Sequence, residues 1–150
     1  MSRQIPVTLT NMCMVRNGDY VLVQDRTDPH WPGVTFPGGH IESGESFTAS
    51  VIREVYEETG LTIETPRLCG VKEWENSDGS RYIVLLYKAD RFSGKVRSSP
   101  EGQVCWAALS SLSSLRLSPD FEKLLEVFLR DDLSEFYFEQ TSEGWQDHLL

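Results

Sequence analysis

Three carboxylates, Glu54, Glu57 and Glu58, stand three and four residues apart just before Thr59-Gly60. On an α-helix that spacing gathers them on one face, within an arc of roughly 100°. Neighbouring like charges there cost about 0.2–0.5 kcal/mol per pair, and acids at a helix C-terminus also oppose the macrodipole. A chain selected only for helix stability would carry Lys at such positions. The ordinary reading of an acidic cluster is a solvated face. Here glycine-rich turns precede the helix and Arg53 sits inside the cluster, a setting that suits a hard cation such as Mg²⁺, with substrate phosphates completing its oxygen ligands. Ser46 is the expected N-cap and Gly60 the expected left-handed stop. Ile52, Val55 and Tyr56 are expected to face a core.

The surrounding residues carry a resemblance. Gly39, Glu45, Arg53-Glu54-Val55, Glu57-Glu58 and Gly60-Leu61 fall at the spacing G-x5-E-x7-R-E-U-x-E-E-x-G-U, with U aliphatic. This resembles the complete Nudix box, and no position departs from it. The resemblance implies an α/β fold, an α/β/α sandwich with a mixed β-sheet and the box (39–61) as loop–helix–loop. It also implies Mg²⁺, with Mn²⁺ as a substitute, held by Glu54, Glu57 and Glu58 and by the carbonyl of Gly38. Arg53 is expected to turn away from the ligand arc and pair with Glu45, fixing the loop against the helix.

The 150 residues are read as one domain, 1–150. A net charge of −9 argues against a nucleic-acid polymer as partner, but not against a small nucleotide whose charge a metal neutralises. No apolar run is long enough to span a membrane, and the first residues lack a signal-peptide core. The expectation is a cytoplasmic protein, monomer or homodimer left open. Cys13, Cys69 and Cys105 show no paired spacing and are read as buried small hydrophobes.

Two β-rich runs, 5–15 and 20–24, flank Asn17-Gly18, a strong hairpin signal. A Pro/Gly-rich loop follows, then a short strand at 34–36 and the Pro37-Gly38-Gly39 turn. Segments 61–66 and 68–74 are extended, and 81–89 is nearly continuous apolar, as in a strand buried on both faces. Residues 93–103 read as loop, 104–106 as a short strand and 109–117 as ambiguous. Ser118 is the expected N-cap of a second helix, with Pro119 at its first position and Leu124, Leu125, Val127 and Phe128 buried. Residues 135–140 read as a late edge strand, and the tail after Thr141 is unassigned.

Further candidates come from similarity to MutT-like members. Glu101, shortly before the strand bearing Trp106, matches a glutamate that serves as metal ligand or general base. Arg26 resembles arginines that meet substrate phosphates, and Gly38 and Gly39 permit close approach of phosphate. Asp120 falls where such enzymes read a purine, although an acid at a helix start is commonplace. Asn11, a polar residue within a strand, is a candidate for the same pocket. Trp31 is either a stacking surface or ordinary packing. The resemblance implies a nucleotide-pool (d)NTP pyrophosphohydrolase of the 8-oxo-dGTP diphosphatase type. ADP-ribose or nucleotide-sugar hydrolysis, or a non-catalytic nucleotide-binding domain, are the alternatives.

Overall fold

The computed structural model describes residues 3–150. Strand β1 (Val7–Asn17) turns at Gly18 into β2 (Tyr20–Arg26), and Arg16 pairs with Val21 and Asn17 with Tyr20. The hairpin pairing stops there. β2 goes on to pair with β3 (Gly33–Thr35) and with β8 (Gly102–Ala108), while β1 runs parallel to β6 (Arg81–Ala89). Beyond β6 come β5 (Arg67–Glu75), β9 (Glu135–Thr141) and β10 (Gly144–Leu149), giving a mixed sheet ordered β10-β9-β5-β6-β1-β2-β3. A separate two-stranded sheet joins β4 (Leu61–Glu64) to β7 (Arg91–Gly94).

Alternation along the central strands divides the core in two. Cys13, Val15, Leu85 and Tyr87 face α1 (Phe47–Thr59), where Val51 and Val55 are buried. Met14, Val84 and Leu86 face α2 (Phe121–Leu129) and meet Phe121, Leu124, Val127 and Phe128. Phe36 anchors that second layer edge-on to Phe121 at 4.8 Å and to Phe128 at 5.1 Å. The α/β sandwich with helices on both faces is the expected one.

Several local expectations need correction. Ser118 does not cap α2. Asp120 occupies the N-cap position in a left-handed conformation (φ 63°) without a side-chain cap bond, and Pro119 precedes it. The Ser118 carbonyl instead accepts from the Phe121 N–H, so the turn before the helix uses backbone groups. β9 is not an edge strand, because the tail folds back as β10 with Trp145 opposite Gln140. Ser93 and Gly94, read as the start of a loop, belong to β7, which pairs with β4. Tyr56 is exposed, since it lies about 100° round the helix from Val55, and the Arg97 guanidinium covers its ring. Of the cysteines only Cys13 is buried, while Cys69 is intermediate and Cys105 exposed, and all are free. Among the described residues no helix is long and apolar enough to cross a membrane.

Candidate active site

The box helix is built as its sequence dictates. The Ser46 Oγ accepts from the Ala49 N–H at 2.9 Å, and Gly60 closes the C-terminus at φ 82°. Val51, Val55 and Glu58 follow one another at four and three residues, so they share the buried stripe. Glu58 is thereby carried to the edge of the core, with only 4% of its surface exposed.

The loop before the helix docks on the stretch of β1 that the short hairpin leaves open. The Asn11 N–H donates to the Gly39 carbonyl at 2.8 Å, Cys13 N–H to Pro37 at 2.9 Å, and Ile41 N–H to Leu9 at 3.1 Å. The Asn11 side chain locks the same junction. Its Oδ1 accepts from the Gly39 N–H at 3.1 Å and its Nδ2 donates to the Ser50 Oγ at 2.9 Å. A Cβ on Gly38 would lie 2.0 Å from the Asn11 carbonyl oxygen, and one on Gly39 would meet the Glu54 carboxylate at 2.3 Å. Backbone blocks any side chain at Gly38, whereas at Gly39 a Cβ would displace the Glu54 carboxylate.

That docking brings the Gly38 N–H onto Glu58 Oε2 at 3.0 Å. Burial pushes the Glu58 carboxyl well above the ordinary carboxylate range, and its hydrogen bond with the Glu101 carboxyl acts in the same direction. A carboxyl pair sharing a proton in a half-dry site is a natural place for a cation, which would displace that proton and accept both oxygens. Burial likewise raises Glu54, partly offset by Arg53.

Arg53 grips Glu45 with two bonds, Nε to Oε2 at 2.9 Å and Nη2 to Oε1 at 2.7 Å, as expected. It does not turn away from the acidic residues. Its Nη1 reaches Glu54 at 2.9 Å and Glu57 at 3.2 Å, because Glu57 stands one helical turn on. The pairing holds the Glu45 carboxyl down at about 2. The Glu57 side chain is 55% exposed, and among the described residues no three of these acids form a ready metal cage. Arg53→Lys keeps the charge but loses the fork that serves Glu45 and Glu54 together. Activity should fall roughly 10- to 100-fold, with a higher metal concentration needed for half-maximal rate. A titration of rate against Mg²⁺ checks this.

Glu54, Glu58, Gly38, Gly39, Glu101, Arg26 and Asn11 all line one cavity of about 710 Å³. Arg26 pairs with Asp28 at 3.6 Å, while its buried Nε has no hydrogen-bond partner. Trp31 also lines the cavity. Glu57 and Asp120 are not among the lining residues. Asn11 is there, but both ends of its amide are occupied by the loop and helix, making it a brace.

Among the wall residues that escaped the sequence reading are Lys72 and Trp74 on β5 and Tyr82 on β6. Trp74 and Tyr82 stack at 4.6 Å. Gly70, Lys72 and Trp74 alternate onto one sheet face, so a Lys in that series was the available signal.

Comparison with known proteins agrees with this architecture. Residues 8–128 match the NUDIX domain. An 8-oxo-dGTP diphosphatase of Escherichia coli is 31% identical over 117 residues, spanning 76% of this chain and 88% of that protein. An ADP-ribose pyrophosphatase of Methanocaldococcus jannaschii is 24% identical over 127 residues, spanning 83% and 74%. The crystal structure of a MutT protein from Bacillus halodurans superposes with a TM-score of 0.76 at 28% identity, covering 95% of this chain and 94% of that one. The chain belongs to the Nudix family, in its MutT-like branch. It is accordingly a Nudix hydrolase of nucleoside-diphosphate-linked substrates.

Proposed function

We propose that this enzyme is a divalent-metal-dependent pyrophosphohydrolase of purine nucleoside triphosphates. It cuts between the α and β phosphates and releases a monophosphate and pyrophosphate, with oxidised guanine the preferred base. One observation supports this above the others. A single cavity has buried carboxylates at one end and aromatic rings, Trp31, Trp74 and Tyr82, in its walls, as a nucleotide with charged and flat ends requires.

Glu54, Glu58, Glu101 and the Gly38 carbonyl would hold Mg²⁺ or Mn²⁺, and Glu57 would join only by swinging away from Arg53. The metal, when bound, supplies Lewis acidity and neutralises phosphate charge. Around it the chain's own groups divide the work. Arg26, in the cavity wall, offers its guanidinium to a phosphate oxygen. Glu101, on the loop leading into β8, would give one carboxylate oxygen to the metal and keep the other to take a proton from the attacking water. Arg53 holds Glu54 in place. Asp120, outside the cavity lining, acts on the base only from its margin.

Removal of metal gives a direct test. EDTA should abolish turnover, and added Mg²⁺ or Mn²⁺ should restore it, because no His or Cys belongs to the donor set. Chromatography of the products then decides the substrate. A nucleoside monophosphate with pyrophosphate supports the reading. A nucleoside diphosphate with orthophosphate would refute the cleavage position, and preference for ADP-ribose or a nucleotide sugar would refute the substrate class. Calorimetric binding without turnover in Mg²⁺ would show a non-catalytic domain.

A further inference from the structure

Lys72 is an anomaly in this sheet. Register places it opposite Val84 on β6 and Phe136 on β9, on the face that carries the second hydrophobic core. Only 7% of its surface is exposed. Its Nζ lies 5.3 Å from the Trp31 ring centre, 5.7 Å from that of Trp74 and 5.4 Å from that of Phe138. Cation–π attraction offsets part of the cost of burial. Yet no hydrogen bond or ion pair holds this ammonium among the described residues. Three donors in a nearly dry aromatic setting lack an acceptor, and Lys72 lines the cavity that also holds Glu54 and Glu58.

We propose that Lys72 reads the base, donating to a ring carbonyl oxygen so that the cavity selects keto bases over amino bases. The proposal rests on that cavity being the nucleotide site described above. Phosphate is the less suitable acceptor, since the phosphates belong with the carboxylates, the metal they hold and Arg26. Val84 links Lys72 by register to Thr10, which puts Lys72 two strands, about 10 Å, across the sheet from the β1 segment that carries Asn11 and the box loop. Flat rings flank Lys72, as a stacked base requires. An ammonium has donors only, so it donates to the 6-oxygen of guanine or hypoxanthine and opposes the 6-amino group of adenine. Asp120, outside the cavity lining, lies near enough for its charge to act on Lys72 and favour the ammonium form.

Inosine and adenosine monophosphates isolate the position-6 contact, and their equilibrium binding to the intact protein with Mg²⁺ is the test. Wild type should prefer the inosine nucleotide by roughly 10-fold or more. Lys72→Met, which keeps the stem between the rings, should reduce the preference to about 2-fold or less, while Lys72→Arg retains most of it. Should Lys72→Met not fold, Lys72→Gln, able both to donate and to accept, should also narrow the gap. Equal binding by wild type, binding of neither nucleotide, or an undiminished preference in Lys72→Met or Lys72→Gln would overturn the proposal. Pyrophosphate release from triphosphates is followed in parallel. Its absence with the preference intact removes the triphosphate reading alone, and its presence without any preference removes Lys72 alone.

Discussion

Glu58→Gln should lower kcat by roughly 1000-fold while leaving the metal-free protein more stable, by about 1–2 kcal/mol. The two effects have one origin. Glu58 lies on the buried stripe of α1 and meets both the Gly38 N–H and the Glu101 carboxyl. Gln preserves both contacts, accepting from Gly38 and donating to Glu101, and deletes a charge that burial disfavours. It also deletes a hard anionic oxygen from the cation site. The pH dependence follows from the same raised carboxyl. Above the ordinary value of 4.5 the unfolded chain has released this proton and the folded chain keeps it. The folded state therefore binds more protons, and stability of the metal-free protein falls as pH rises. Glu73, raised to about 7 by burial and then by Glu135, contributes in the same sense below neutrality. Glu58→Gln should flatten the decline across the range from about pH 5 to 9, leaving only the Glu73 share below about pH 7. Added Mg²⁺ should stabilise wild type increasingly as pH rises, since it needs the deprotonated form. Thermal melts from pH 6 to 9, with and without Mg²⁺, read all three effects. A variant that melts early yet keeps its rate would make Glu58 a structural residue.

Gly38→Ala should be the most damaging single methyl in the chain. The added Cβ would fall 2.0 Å from the Asn11 carbonyl oxygen and 2.8 Å from the Met12 Cα, both backbone atoms that cannot rotate aside. The loop must lift from β1, straining the Gly39–Asn11 backbone bond and withdrawing the Gly38 N–H from Glu58. Overpacking of this kind costs about 1–3 kcal/mol, and displacing the Gly38 carbonyl together with the Glu58 carboxyl that its N–H holds should reduce the rate by about 100-fold or more. Gly44→Ala is the control. It has no atom within 4 Å, although its φ of +85° carries ordinary left-handed strain. It should destabilise modestly and spare the rate per folded molecule. Denaturation midpoints together with kcat distinguish the two, and equal rates would show that the loop's fit against β1 does not govern chemistry.

Much of this was legible in the chain. Ser46 and Gly60 bound the box helix because capping is a local property of a few residues. The Asn17-Gly18 turn is local too, as is the apolar run of β6, whose Val84–Tyr87 core is buried. The pairing of Arg53 with Glu45 came with the box spacing. Errors arose where a local signal met a tertiary demand. Ser118 and Pro119 look like a helix start, but the Ser118 N–H is drawn to the Val34 carbonyl at 2.9 Å, and the helix begins after Asp120. The polar tail carries no strong strand pattern, yet β9 supplies an edge on which β10 forms.

By itself the sequence determined the box helix, its caps and the identity of its acids, since all of these lie within one stretch of chain and depend on helical periodicity. Only the tertiary structure decided which acids meet. Glu58 joins Glu101 across the interval from α1 to β8, while Glu57 is diverted to Arg53 on the exposed side. It also decided that Lys72, unremarkable in the run Val71-Lys72-Glu73-Trp74, is buried among rings contributed by the loop at Trp31 and by β9 at Phe138. Burial of a charge depends on which distant segments close over it, and no local pattern encodes that.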